Sequence, residues 1–146
     1  MFRQIDETLF VSPQIEAADV AEAKAQGVTL VINNRPDGES PSEPQGAEIE
    51  AAARAAGLDY VAIPVGHGGF SQPQVDAMAA ALDGATGKTL AYCRSGTRST
   101  LLWSLARATA GDTPESLHEK ANGAGYDLTP VAALIDMLAA QKPTPQ

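Results

Sequence analysis

The feature that most constrains this chain is the alternation of short apolar runs with helix-opening signals. Leu9-Phe10-Val11, Val28-Thr29-Leu30-Val31-Ile32-Asn33, Tyr60-Val61-Ala62-Ile63-Pro64-Val65 and Thr89-Leu90-Ala91-Tyr92-Cys93 read as strands. Pro64 belongs at the end of its strand, because it has no N–H to give to a ladder. A helix follows each run. The first covers 16–26 and stops at Gly27. The second opens at the capping box Ser42-Glu43-Pro44-Gln45 and ends near Gly57. The third opens at Ser71-Gln72-Pro73-Gln74 and reaches about Leu82, and the fourth covers 99–109. Two more start at Asp112-Thr113-Pro114-Glu115 and at Thr129-Pro130, the last running to about Ala140. The pattern predicts a single α/β domain over 1–140, with a mostly parallel central sheet and helices on both faces, and a flexible tail at 141–146. The loops after the strands then share one edge, which brings Asn34-Arg35, His67 and Cys93 together at the carboxyl ends.

Charge and cysteine content narrow the function. With 10 basic and 18 acidic residues the net charge is -8. A general nucleic-acid binder needs a basic face, and an anionic membrane would repel this chain. A single Cys rules out an internal disulfide framework. The start of the chain is polar and no run approaches the length of a membrane helix, so the expected location is the cytoplasm. His118 sits among Glu115, Glu119 and Lys120 and reads as part of a solvated helix face. No clustering of ligand types suggests a metal, and no cofactor is expected.

The chemistry points to Cys93-Arg94-Ser95-Gly96-Thr97-Arg98-Ser99, between a buried strand and a helix. A thiolate reacts where a buried thiol is inert. The helix start offers unpaired N–H groups and the positive end of its dipole. Gly96 lets successive N–H groups turn inward as an anion nest. Arg98 adds a permanent charge on a planar donor fork. Ser95, Thr97 and Ser99 complete the anion-binding loop, and Arg94 is expected at the mouth, recruiting anions. Cys93 is thus the expected nucleophile, with Arg98 as its cationic partner. Leu102 and Trp103 are expected to anchor the following helix in the core.

This loop resembles the rhodanese active-site loop, which has Gly three residues after Cys and a basic residue at its sixth position. It also resembles the protein tyrosine phosphatase loop, whose Arg stands at the seventh. Here the seventh position is Ser99, Arg98 comes one residue early, and Tyr92 replaces the His that usually precedes a phosphatase Cys. The whole chain resembles the beta-lactamase hydrolase-like, phosphatase-like domain family. The stretches that carry this are Leu9-Phe10-Val11-Ser12-Pro13-Gln14, Val31-Ile32-Asn33-Asn34-Arg35-Pro36-Asp37-Gly38-Glu39, Tyr60-Val61-Ala62-Ile63-Pro64-Val65, and Ala91-Tyr92-Cys93 through Leu102-Trp103. The resemblance implies a dual-specificity or protein tyrosine phosphatase fold. It also implies a link to sulfur metabolism, since members occur fused to persulfide-oxidising domains.

Phosphomonoester hydrolysis wants a general acid, commonly an Asp before the last strand. The loop there, Gly66-His67-Gly68-Gly69-Phe70, has no carboxylate, and helical register turns Asp76 elsewhere. His67 is the candidate acid. Sulfur transfer needs no strong acid, and the shorter loop makes a tighter cradle. The residues therefore favour a rhodanese-like sulfurtransferase that forms a Cys93 persulfide from thiosulfate or a persulfide. The alternatives are a cysteine-dependent phosphatase acting on phosphomonoesters, a non-catalytic anion or persulfide carrier, and a thiol redox sensor. With no second Cys, a persulfide would pass to an external thiol acceptor. Arg35 is expected to bind the remote part of the substrate or to brace the loop through Glu39 or Asp37. Asp37 and Gly38 read as turn residues.

Overall fold

The computed structural model describes residues 2–39, 45–66 and 68–141. Strands β1 (Arg3–Gln4) and β2 (Leu9–Ser12) are followed by helix α1 (Ala17–Ala25), strand β3 (Val28–Asn33), helix α2 (Gly46–Ala55), strand β4 (Asp59–Ala62), helix α3 (Gln72–Gly84) and strand β5 (Lys88–Tyr92). Helices α4 (Thr97–Ala110), α5 (Pro114–Gly123) and α6 (Ala132–Ala140) close the chain, the last after a single 3-10 turn at Thr129–Val131. The sheet order is β1-β2-β5-β3-β4. Every pairing is parallel except that of β1 with β2.

Strand periodicity sorts the core into two layers. Leu9, Val11, Leu30, Ile32 and Ala91 face α3, α4, α5 and α6. Phe10, Val31, Leu90 and Tyr92, alternating with them, face Val20 and Ala23 of α1 and Ile49 and Ala53 of α2. The strand that ends at the cysteine, β5, lies between β2 and β3 and is the most enclosed. This placement decides where the chemistry can sit. The residue leaving β5 emerges at the middle of the carboxyl edge, flanked by the ends of β2 and β3.

Helix α4 leaves from that point and is buried over most of its circumference, from Ser99 to Ala108. Three of its polar residues bond back to the preceding turn. Thr100 donates to the Gly96 carbonyl at 2.9 Å, Ser104 to Leu101 at 2.6 Å and Thr109 to Leu105 at 3.0 Å. Trp103 and Leu102, at 1% and 0% exposure, fix the helix in the core as expected.

Several boundaries differ from the sequence expectation. The polar start contains the short strand β1, too brief to carry a period. The strand expected over 60–65 ends at Ala62, yet Ile63 and Val65 still donate to the carbonyls of Asn33 and Asn34 at 2.8 and 3.0 Å. Pro64 breaks the ladder between them, having no N–H. The α3 capping box is present: Ser71 and Gln74 exchange side-chain and backbone bonds. Helix α4 starts two residues before the expected 99, because Gly96, at φ +90°, turns the chain directly into its first turn. The capping-box residues 42–44 and tail residues 142–146 lie outside the described residues; α2 begins at Gly46 with Gln45 as its cap.

Leu105 is fully enclosed between α4 and its neighbours, well away from the cysteine loop. Leu105→Ala should cost about 3 kcal/mol of unfolding free energy in urea titrations, within the range for buried leucines.

Candidate functional site

Cys93 is the first residue past β5 and is fully buried. Its N–H donates to the Ser12 carbonyl at 3.3 Å, carrying the strand pairing one residue further. The Gly96 N–H donates to the Cys93 sulfur at 3.1 Å. The loop thus curls back so that a backbone dipole and the start of α4 converge on the sulfur. Arg94, Ser95 and Thr97 are exposed, while Gly96 and Ser99 are buried. The Ser95 hydroxyl accepts the Thr97 N–H at 3.3 Å and bonds the Thr97 hydroxyl at 3.0 Å, fastening the first turn of α4 from outside. The Arg94 carbonyl accepts the Gln14 N–H at 3.3 Å, tying the loop to the end of β2.

Arg98 reaches across the edge rather than out to solvent. Its Nη1 donates to the Glu39 carboxylate at 2.7 Å and to the Val65 carbonyl at 2.6 Å, and its Nη2 donates to Glu39 at 2.8 Å. Glu39 holds Arg98 more firmly protonated than usual, and the neighbouring Cys93 acts in the same direction. Arg35 completes the arrangement: Nε donates to Glu39 at 3.0 Å and Nη1 to the Gln14 side chain at 2.8 Å. Glu39 therefore lies between two guanidinium groups. The Arg98 hydrogen bond, opposed by burial and aided by Arg35, brings its carboxyl from 4.5 to about 2.

Arg35 is paired with Glu39, the contact through which a brace of the loop was expected. Asp37 accepts the Gly46 N–H at 2.8 Å and Gly38 has φ +84°, which makes both turn residues. Asp76 is exposed on α3 and accepts from Gln72, away from the cysteine loop as helical register requires. Asn34 is fully buried beside the site, with its N–H on the Tyr92 carbonyl at 2.8 Å and its side-chain amide on the Ile63 carbonyl at 3.0 Å. Tyr92 points into the opposite layer, where burial pushes its phenol upward, so it gives the sulfur no charged partner. His67 lies outside the described residues. His118 is half-buried on α5, and no group of three or more metal-ligating side chains occurs among the described residues.

Sequence reasoning missed two partners. It had Glu39 only as a counter-ion for Arg35, not for Arg98, 59 positions away. It also missed Tyr126, whose hydroxyl donates to the Ser95 carbonyl at 3.2 Å. No local pattern announces either contact. The available signal for Glu39 was chemical: a guanidinium drawn into a sheet edge needs a carboxylate nearby.

Because the Glu39 carboxyl is depressed in the folded chain, its ion pairs stabilise the fold fully above about pH 4.5 and are lost as pH falls through about 2. Acid titration of stability should show this loss, and Glu39→Gln should flatten that part of the profile while lowering stability at neutral pH.

Comparison with known proteins agrees with this architecture. Residues 1–110 match the family described as Beta-lactamase hydrolase-like protein, phosphatase-like domain. A Beta-lactamase hydrolase-like protein of Agrobacterium fabrum is 33% identical over 141 residues, covering 96% of this chain. This chain spans 33% of that relative's length. A crystal structure of a phosphatase candidate from Neisseria meningitidis Z2491 superimposes with a TM-score of 0.81 at 32% identity, covering 93% of this chain and 96% of that one. P. aeruginosa TpbA in complex with phosphotyrosine has a TM-score of 0.67 at 19% identity, over 95% of this chain and 88% of that one, a likeness of fold. With the cysteine loop at the end of the central strand and the family matched over most of its length, this chain belongs to the beta-lactamase hydrolase-like, phosphatase-like domain family.

Proposed function

We propose that the chain is a cysteine-dependent phosphatase that hydrolyses phosphomonoesters through a phosphocysteine. The observation that carries this reading is the enclosed Cys93 sulfur held by the Gly96 N–H, with Arg98 locked alongside. Such a pocket favours negative charge twice, first on the nucleophile and then on the transferring phosphoryl group. In the first step the Cys93 thiolate attacks phosphorus and the ester P–O bond breaks, the leaving alkoxide or phenolate departing with the bonding pair and taking its proton from solvent. In the second, water attacks the phosphocysteine, releasing phosphate and restoring the thiolate. Inward-facing N–H groups of the loop and the Arg98 fork carry the equatorial oxygens. Glu39 holds the fork in place and, with its carboxyl at about 2, supplies no proton at neutral pH.

The sequence reading put sulfur transfer first. The family match and its structural neighbours support the phosphatase alternative better. Sulfur transfer keeps one observation of its own, the rhodanese-like spacing from Cys93 to Arg98 together with a 66–70 loop that lacks a carboxylate. The same lack bears on phosphate substrates. Phenols leave with less need of a proton than alkoxides, so aryl phosphates are the expected class.

Parallel incubation with an aryl phosphate and with thiosulfate tests the choice. Turnover of the aryl phosphate, with a phosphate adduct on Cys93 by intact mass, is the expected result. A persulfide adduct with no phosphate release would reverse the order of the two readings. Cys93→Ser should abolish turnover, and Arg98→Ala should lower kcat/KM by about 10²–10³, the range for removing one oxyanion donor. Arg94→Ala should raise KM more than it lowers kcat, as befits an exposed recruiting charge, and an unchanged KM would remove Arg94 from the site.

A further inference from the structure

The loop between α5 and the final helix has no part in the chemistry above, yet its Tyr126 touches the cysteine loop at its most sensitive point. The Tyr126 hydroxyl donates to the Ser95 carbonyl at 3.2 Å. The next N–H along, that of Gly96, is the one that donates to the Cys93 sulfur at 3.1 Å. These two groups are opposite ends of one peptide unit. A trans peptide is planar and its C=O and N–H point in opposite directions, so whatever fixes one end aims the other.

We propose that Tyr126 is a positioning residue for the nucleophile: by holding the Ser95 carbonyl outward, its hydroxyl keeps the Gly96 N–H turned onto the Cys93 sulfur. The proposal rests on Cys93 being the reactive group of the site. Rotation of this peptide would replace a donor at the sulfur with a carbonyl oxygen, which repels a thiolate and an incoming oxyanion alike. Gly96 makes such rotation easy, since glycine has the widest choice of backbone angles. A loop with glycine at its turning point therefore needs an outside restraint, and Tyr126 supplies one. The fit is close: a Cβ on Gly96 would overlap the Tyr126 hydroxyl.

Tyr126 is itself held from behind. Its N–H donates to the Ala121 carbonyl at the end of α5, at 2.9 Å. The Arg3 guanidinium lies 5.5 Å from its ring centroid, and Arg3 Nη1 donates to the Ala124 carbonyl at 3.0 Å. Arg3 belongs to β1, so the short antiparallel strand has a structural purpose: it carries the brace for this tyrosine. Burial pushes the phenol above its ordinary value; Arg3 opposes this and Cys93 adds to it. The hydroxyl therefore keeps its proton, and its ability to donate, across the pH range in which a thiol ionises. Among the described residues, the charged and titratable groups facing the sulfur are Arg98 and Tyr126, with Glu39 acting on it through Arg98.

Tyr126→Phe deletes the hydroxyl and keeps the ring and its arginine. The readout is the rate of Cys93 alkylation by iodoacetamide as a function of pH, which needs no substrate. It therefore stands whether or not phosphomonoesters prove to be turned over. The half-maximal point should move upward by about one pH unit, a size appropriate to a weakened hydrogen bond to a charged group. Arg3→Ala, which leaves the phenol and removes its brace, should shift the profile the same way by less, and serves if the first variant is too unstable to assay. A Tyr126→Phe profile that superimposes on that of the parent protein, with the fold intact by thermal melt, would overturn the proposal.

Discussion

A negative charge on a sulfur that solvent does not touch survives only if fixed dipoles and cations replace the lost water. Under the function proposed above, that requirement falls on the carboxyl edge of this sheet. The sulfur of Cys93 sits at the end of the central strand, where the neighbouring strands exclude solvent and the turn into α4 supplies the Gly96 N–H. In the function proposed for this chain, the enclosure that would make an ordinary thiol inert becomes, with these donors, the setting in which Cys93 acts as nucleophile. Every other element of the carboxyl edge can be understood by how it holds the donors still.

The Arg98 fork shows how that is done. A long flexible side chain loses considerable freedom when ordered, and a substrate that had to order it would bind correspondingly more weakly. Here the Glu39 carboxylate and the Val65 carbonyl order it in advance, and Arg35 orders Glu39 in turn. The arrangement also limits Glu39. A carboxylate between two guanidinium groups is a structural anion and a poor proton donor, so any acid for the leaving group must come from elsewhere.

The fold was legible because its signals are local. The short apolar runs of β3 and β5, buried almost throughout, the capping box at Ser71 and the glycine stop after α1 are each signals carried within a few residues, and each appears where the pattern put it. Cys93 could be singled out for the same reason: its donors come from the next few residues. What the sequence hid are contacts across the edge. Arg98 to Glu39 and Tyr126 to Ser95 join segments far apart in the chain, and neither has a spacing rule. The choice between sulfur and phosphate was poorly legible, because only the loop length and the missing carboxylate at 66–70 were there to decide it. Two chemistries that both start with a thiolate and an oxyanion share most of their requirements. A family match over residues 1–110 carries information that a seven-residue loop does not.

The charge distribution follows from the same constraint. The chain as a whole carries -8, which repels anions at long range. At the carboxyl edge, however, Arg35 and Arg98 share the Glu39 carboxylate, Arg94 is exposed at the loop, and Arg3 lies behind Tyr126. At physiological ionic strength the distant charges are screened within about 8 Å, so an approaching anion responds mainly to this local cluster. The acidic surface then costs little in substrate capture and disfavours polyanions, which must contact a broad area to bind. A small phosphorylated molecule that presents one dianionic group on a compact stem satisfies both conditions. For the phosphatase function proposed above, the size of this positive patch as well as its shape would set the selectivity.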